Sequence, residues 1–441
     1  MTNFKINIRY VIIVVTGLIL YTIALTGVSR LVFKSPDQGK NAVGSFISNM
    51  VIKSSDVSKN IRLLLLKQPY YFRNQSDKDG FTYFSKDINE YPKLLVSFKT
   101  GSFDSRIQLL DIKTGEEIKE WVPDAKLVSK LSYSEQQPRE FEKGADLNFG
   151  HPILMKDSSI VFQTGFSIVK INSDSEIEWV NNENMFHHSL ELDADGNIYA
   201  TGSSFNSLSH NFLPDTVNVY RKNFQENIII KIDANTGKTM LTKSIIHLLE
   251  ENGLEKLVYN NGNIINDPIH LNDVQPALKD GKYWKKDDLL LSCRSLSMVF
   301  LYRPETNKII WSQQGPWLSQ HDPDFHGESG IVVFGNDVIF DTPRGQFIKN
   351  GYHFVNETNQ IYLYDFEKDT TTTPFKTLLQ KEGIRTPTQG RSEILPNGDI
   401  FIEETDIGRI IFGDSIMKKA TFVKRIDEAH ITELKWSRII Y

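Results

Sequence analysis

Residues 228–241 read IIIKIDANTGKTML. Four apolar residues in five positions, an Asp-Ala-Asn-Thr-Gly turn and a second short run are the grammar of a β-hairpin. The same sentence is spoken again in IQLLDIKTGEEIKEW (107–121), SIVKINSDSEIEW (167–179) and VFLYRPETNKIIW (299–311), with IYLYDFEKDTTTTPF (361–375) as a looser copy. Each hairpin follows another strand pair: HPILMKDSSIVFQTG (151–165), HSLELDADGNIYATG (188–202), DLLLSCRS (288–295), GIVVFGND (330–337) and SEILPNGDIFIEE (392–404). Together they make six four-stranded units, starting near residues 92, 148, 187, 270, 320 and 391. A spacing of roughly 60 residues per unit is that of propeller blades with loop insertions on one face. The predicted fold is therefore all-β, a six-bladed β-propeller over residues 91–441. Blades cannot bury their faces alone, so the repeats form one domain rather than the three that 441 residues would otherwise suggest.

The composition narrows the partners. A net charge of −5, from 50 basic and 55 acidic residues, lacks the basic footprint of a nucleic-acid binder. Cys293 is the single cysteine, so neither an internal disulfide nor a cysteine zinc cage is available. Tryptophans that close strands, Trp121, Trp179, Trp311 and Trp436, read as packing between blades.

The first ninety residues differ. The uncharged run VIIVVTGLILYTIALTGV (11–28) reaches the minimum for crossing a bilayer as a helix, and no clean small-residue cleavage site follows it. Residues 1–30 are expected to be a cytoplasmic tip and an uncleaved membrane anchor, and 31–90 a polar stalk with a short amphipathic helix over 54–68. Flanking basic residues are balanced and do not set the orientation.

Histidines gather where blades open. His187 and His188 start the third unit, His270 the fourth and His321 the fifth. The first strand of a blade lines the central channel, so these side chains are expected to converge at one mouth, with Arg294 turned toward the same funnel. Neutral imidazoles attack or shuttle protons near pH 7, and a guanidinium matches a tetrahedral oxyanion. The combination suits transfer of a sulfuryl or phosphoryl group through a histidine intermediate. Two other uses stay open: a metal site completed by Asp322 or Asp324, and a non-catalytic propeller that presents a binding face to a protein or glycan. A quinoprotein-type dehydrogenase is disfavoured by six blades and the missing cysteine pair.

FHHSLELDADGNIYATG, HLNDVQ with DDLLLSCRSLSMVFLYRPETNKIIW, QHDPDFHGESGIVVFGN and GRSEILPNGDIFIEE together resemble the bacterial arylsulfotransferase family of six-bladed propellers, over roughly residues 90–440. The resemblance implies an enzyme without a cofactor, independent of a nucleotide sulfate donor, that moves a sulfuryl group from an aryl sulfate to a phenolic or other hydroxyl acceptor. It implies His321 as nucleophile, His270 and Arg294 as holders of the sulfuryl oxygens, His188 in a further acid–base role, and His187 and Asn272 as binding or orienting residues. With the anchor, it places the propeller on the periplasmic or extracellular side of an inner membrane. Two departures stand out: the insertion PALKDGKYWKK (276–286), and His326-Gly327-Glu328 where the family has an Asn-Gly-Asn run, a change expected to reshape the acceptor side. Specificity is expected to lie in the insertions 205–226, 244–268, 276–286 and 341–358.

Overall fold

The computed structural model describes residues 71–73, 77–88, 91–136, 143–204, 225–262, 265, 267–340 and 352–441. The apolar run 11–28, the helix expected over 54–68, most of the stalk and the loop interiors 205–224 and 341–351 lie outside the described residues. Among those described, no helix is long and apolar enough to cross a membrane.

Among the described residues, six antiparallel sheets of four or five strands follow one another along the chain, beside two of two strands. The innermost strands of the six are β1 (Phe149–Leu154), β2 (Met185–Leu192), β3 (Leu271–Pro276), β4 (His321–His326), β5 (Arg391–Ile394) and β6 (Arg438–Ile440). The first five open blades two to six, as the repeat count predicts. The sixth closes the ring, because β6 pairs with Lys93–Gly101 of blade one in the register Arg438 opposite Leu95. Alternating apolar residues on both faces of each sheet pack against the neighbouring sheets. Phe401, Ile410 and Phe412 of blade six thus meet Leu94, Val96 and Phe98 of blade one in one fully or nearly fully buried cluster. Each such side chain contributes about 1.5–3 kcal/mol, so stability is spread around the ring.

Part of the expected stalk belongs to this domain. Gly80–Tyr83 pairs with Lys418–Val423 as a fifth, outer strand of blade six. Phe81 packs its ring 4.9 Å from Phe422, and the Tyr83 hydroxyl donates to the Ile112 carbonyl at 2.8 Å. The alternation in GFTY is the strand signal there; four residues among polar neighbours are too few to outweigh the surrounding composition.

Tryptophans bridge blades as expected at three positions: the Trp121 indole donates to Ser158, that of Trp179 donates to Ala234, and Trp311 packs on Tyr364. Trp436 also packs between blades, but in a different place. It precedes the innermost strand β6 and lies against His151 of blade two, ring centroids 4.5 Å apart, at the channel rather than the rim.

The strand direction sorts the loops. His270 stands at the start of β3, and the six residues of that strand carry the chain about 20 Å away from it. The insertion 276–286 therefore projects from the face opposite His270. There Trp284 is buried against Phe325, and the Lys282 amide donates to the Glu328 carbonyl at 2.7 Å. The turn His326-Gly327-Glu328 lies on that face too, at the far end of the strand that His321 begins. Neither departure lines the histidine mouth, contrary to the expectation from sequence. The segments 244–268 and the ends of 205–226 and 341–358 emerge on the histidine face.

Candidate active site

The first residues of the innermost strands carry the site, and a recurrent irregularity aims them. Register breaks by a bulge fall between Gly150 and Ile153, Phe186 and Leu190, Leu271 and Asp273, and His321 and Asp324. Left-handed backbone accompanies them at His151 (φ 53°), His188 (61°), His270 (50°) and Asp322 (50°). A bulge re-aims a side chain out of the alternation of a strand, and non-glycine residues in this conformation cluster at functional sites. The four histidines are not strictly equivalent, since His321 precedes the left-handed residue of its strand whereas His151 and His188 occupy it.

His188, His270 and His321 do converge. The His188 ring lies 5.1 Å from that of His270 and 5.9 Å from that of His321, centroid to centroid. His188 Nε2 and His270 Nε2 are 3.2 Å apart, so one proton is shared in that gap. His270 Nδ1 reaches Asp267 Oδ2 at 2.6 Å, and Asp267 Oδ1 accepts from the His270 amide (3.0 Å) and from Asn227 (2.9 Å). A carboxylate only accepts, so His270 Nδ1 carries a proton. Burial pushes the Asp267 carboxyl up, yet the hydrogen bond and charge of His270 hold it below its ordinary range. Asp267, not Asn272, orients His270. Asn272 is fully buried and donates to the Gln320 carbonyl at 2.7 Å, tying blade four to the residue before His321.

His321 is 1% exposed. Its pKa is pushed down to about 3, chiefly by burial and next by the Arg294 charge, while the Asn336 and Ser319 oxygens pull the other way. Arg294 opens a short turn after Leu289–Cys293, with its amide on the His270 carbonyl at 3.0 Å. Burial lowers its own pKa, and Asp267 and Asp406 are the carboxylates that offset this. His187 lies edge-on to His188 at 5.0 Å, bonds Ser203 Oγ at 3.1 Å within its own blade, and is pushed down to about 4 chiefly by burial. Burial depresses His188 and His151 as well. The mouth thus offers neutral imidazoles beside a guanidinium. Cys293, beside Arg294, is a buried filler whose thiol burial pushes up.

Asp322 does not turn toward the histidines. Its Oδ2 accepts from the Ser392 amide at 2.7 Å beside Arg391, and burial pushes its pKa up to about 6. Asp324 and Asp273 are also pushed up by burial and by neighbouring carboxylates, deeper in the channel, where Arg438 clasps Glu191 at 2.9 Å. Among the described residues no group of three or more His, Cys, Asp or Glu stands ready to hold a metal.

Three participants were not singled out from sequence. Asp267 carries a weak signal, the D-x-x-H spacing of NDPIH. His151 opens the second unit just as the other histidines open theirs, and its Nδ1 is buried without a partner. Asn336 closes the segment QHDPDFHGESGIVVFGN, fifteen residues beyond His321, a separation that carries no local pattern.

A family model described as arylsulfotransferase (ASST) matches residues 143–421. The chain belongs to the arylsulfotransferase family. The arylsulfotransferase match runs from the approach to blade two to the outer strands of blade six and includes His151, His188, Asp267, His270, Arg294, His321 and Asn336. No curated protein matches significantly. Solved structures similar to the chain include a protein of unknown function from Bacteroides caccae, 13% identical with a TM-score of 0.44 over 78% of this chain and 98% of that one. The WD40 domain of Neurospora crassa Pan2 is 10% identical, with a TM-score of 0.40 over 77% and 84% of the two chains. TolB from Acinetobacter baumannii is 10% identical, with a TM-score of 0.41 over 78% and 66%.

Proposed function

We propose that this arylsulfotransferase moves a sulfuryl group from an aryl sulfate to a phenolic or other hydroxyl acceptor, with His321 as the covalent nucleophile. The observation that carries the reading is the convergence of His188, His270 and His321, from three blades, with Arg294 close enough for its charge to depress His321. A depressed pKa keeps His321 neutral and nucleophilic at physiological pH. Arg294 faces the sulfuryl oxygens and stabilises charge as the sulfur–oxygen bond breaks. Asp267, His270 and His188 form a relay, carboxylate to imidazole to imidazole, that protonates the departing aryl oxide and later receives the acceptor's proton. No cofactor is required by these steps.

The apolar run 11–28 supports a membrane anchor with the propeller outside the cytoplasm, in the periplasm or at the cell exterior. A reporter fused after Tyr441 that is active only in the cytoplasm would sink that placement.

His321→Ala is expected to lower turnover of p-nitrophenyl sulfate with phenol by about 10³-fold or more, with an unchanged far-UV spectrum. Mass spectrometry of wild type mixed with donor alone should find the sulfuryl adduct on His321. Full turnover by the alanine variant would overturn the reading.

A further inference from the structure

Asn336 follows the strand Gly330–Gly335 and is completely buried. Its amide nitrogen donates to two backbone carbonyls, Thr386 at 3.0 Å and Gln389 at 2.9 Å. Carbonyl oxygens accept and never donate, so the two bonds identify which end of the side-chain amide is nitrogen. The other end, Oδ1, lies 2.6 Å from His321 Nδ1. An amide oxygen accepts only, so the proton of that bond belongs to Nδ1. A neutral imidazole has one N–H, and the lone pair therefore resides on Nε2.

The frame that holds the amide is itself braced. Asn359 donates to the Asn336 carbonyl and to the Thr386 carbonyl, both at 2.9 Å, and accepts from the Thr386 amide at 2.7 Å. Rotating the Asn336 amide by half a turn would set its NH₂ against His321 and its oxygen against two carbonyls, losing two buried hydrogen bonds. One orientation is enforced by blade five and by the entry to blade six together.

We propose that Asn336 is the positioning residue of the nucleophile: it fixes the His321 tautomer, so that the sulfuryl group is accepted on Nε2 while Nδ1 keeps its proton throughout. The catalytic half of this rests on the transfer reading above; the tautomer itself is a property of the fold. In the first half-reaction the Nε2 lone pair bonds to sulfur and the bond from sulfur to the aryl oxygen breaks. Its electron pair leaves on that oxygen, which takes a proton from the His188–His270 relay. His321 becomes an N-sulfo-imidazolium, and its Nδ1–H bond to Asn336 strengthens because the donor is now charged. In the second half the acceptor oxygen bonds to sulfur, the nitrogen–sulfur pair returns to Nε2, and the acceptor's proton goes to the relay. An inverted tautomer would present Nε2–H to the donor and have no lone pair to attack with.

The tautomer is read directly by two-bond proton–nitrogen correlation on the full chain labelled with ¹⁵N-histidine, with His321 assigned by its loss in His321→Gln. The expected pattern is protonated Nδ1 and bare Nε2; protonated Nε2 in wild type overturns the proposal. Asn336→Leu is expected to give mixed tautomers at His321 and to lower kcat about 100-fold with KM within about threefold. A folded leucine variant with wild-type kcat overturns it as well. Asn336→Asp keeps an acceptor and adds a negative charge, so the acid limb of kcat/KM should move to higher pH. An unmoved limb would show that the residue acts only as a brace, and this variant decides the matter where the leucine variant does not fold. If wild type shows the Nδ1–H tautomer but turns over no aryl sulfate, the tautomer assignment stands and the transfer reading falls.

Discussion

Two histidines on adjacent blades are given opposite electrical surroundings. His321, at the start of blade five, leans its Nδ1 on the amide oxygen of Asn336; His270, at the start of blade four, leans its Nδ1 on the carboxylate of Asp267, each at 2.6 Å. The geometry is nearly the same and the partner differs by a full charge. A neutral oxygen orients an imidazole without inviting a second proton, which suits a nucleophile. A carboxylate holds the Nδ1 proton of His270 and leaves its Nε2 to share a proton with His188, which suits a relay. The lesson is that residue type alone does not assign roles among clustered histidines; the atom behind each Nδ1 does.

Short of removing the nucleophile, erasing that difference should cost the most. Asp267→Asn turns the blade-four pair into a second amide pair, and kcat with phenol as acceptor is expected to fall about 100-fold while donor KM stays within about threefold. The loss should shrink for donors whose phenol leaves readily, because they need less proton assistance. A loss independent of the leaving group would break the assignment of the relay.

Arg294→Lys tests what serves both sides. Its charge is retained but the planar fork is lost, so donor KM should rise about tenfold with a smaller fall in kcat, measured by initial rates over a range of p-nitrophenyl sulfate. The pH dependence gives a third test. Because burial and Arg294 push His321 down to about 3, its neutral form persists as the pH falls through the ordinary histidine range. Its ring signals should not titrate between pH 8 and pH 5, and a midpoint near 6.5 would contradict the comparison. The smallest effect is expected on the far face: shortening the insertion between Leu278 and Tyr283 should leave kcat/KM within about twofold.

The ring of six was legible because hairpins repeat locally, and the starts counted from sequence for blades two to six coincide with innermost strands; the start near residue 92 is instead the second strand of blade one, whose innermost strand comes from the far end of the repeats. The convergence of His188, His270, Arg294 and His321 was legible by the same token, since first strands of blades share one channel. What lay beyond sequence were partners set by the depth of the fold. Asn336 meets His321 across a strand turn, and Trp436 meets His151 across the closure of the ring. The roles expected for 276–286 and for His326–Glu328 failed because length and composition of a loop do not say which end of a blade it caps, whereas counting strands from the nearest histidine would have.

The closing strand has a consequence for biosynthesis. Arg438–Ile440 supplies the innermost edge of blade one, and Arg438 reaches across the channel to Glu191 in blade three. Blades two to six can pair their own strands as they leave the ribosome, but the mouth stays an open crescent until residues 438–440 have been made. Chains broken off early would therefore carry every candidate catalytic histidine on a ring that has not closed.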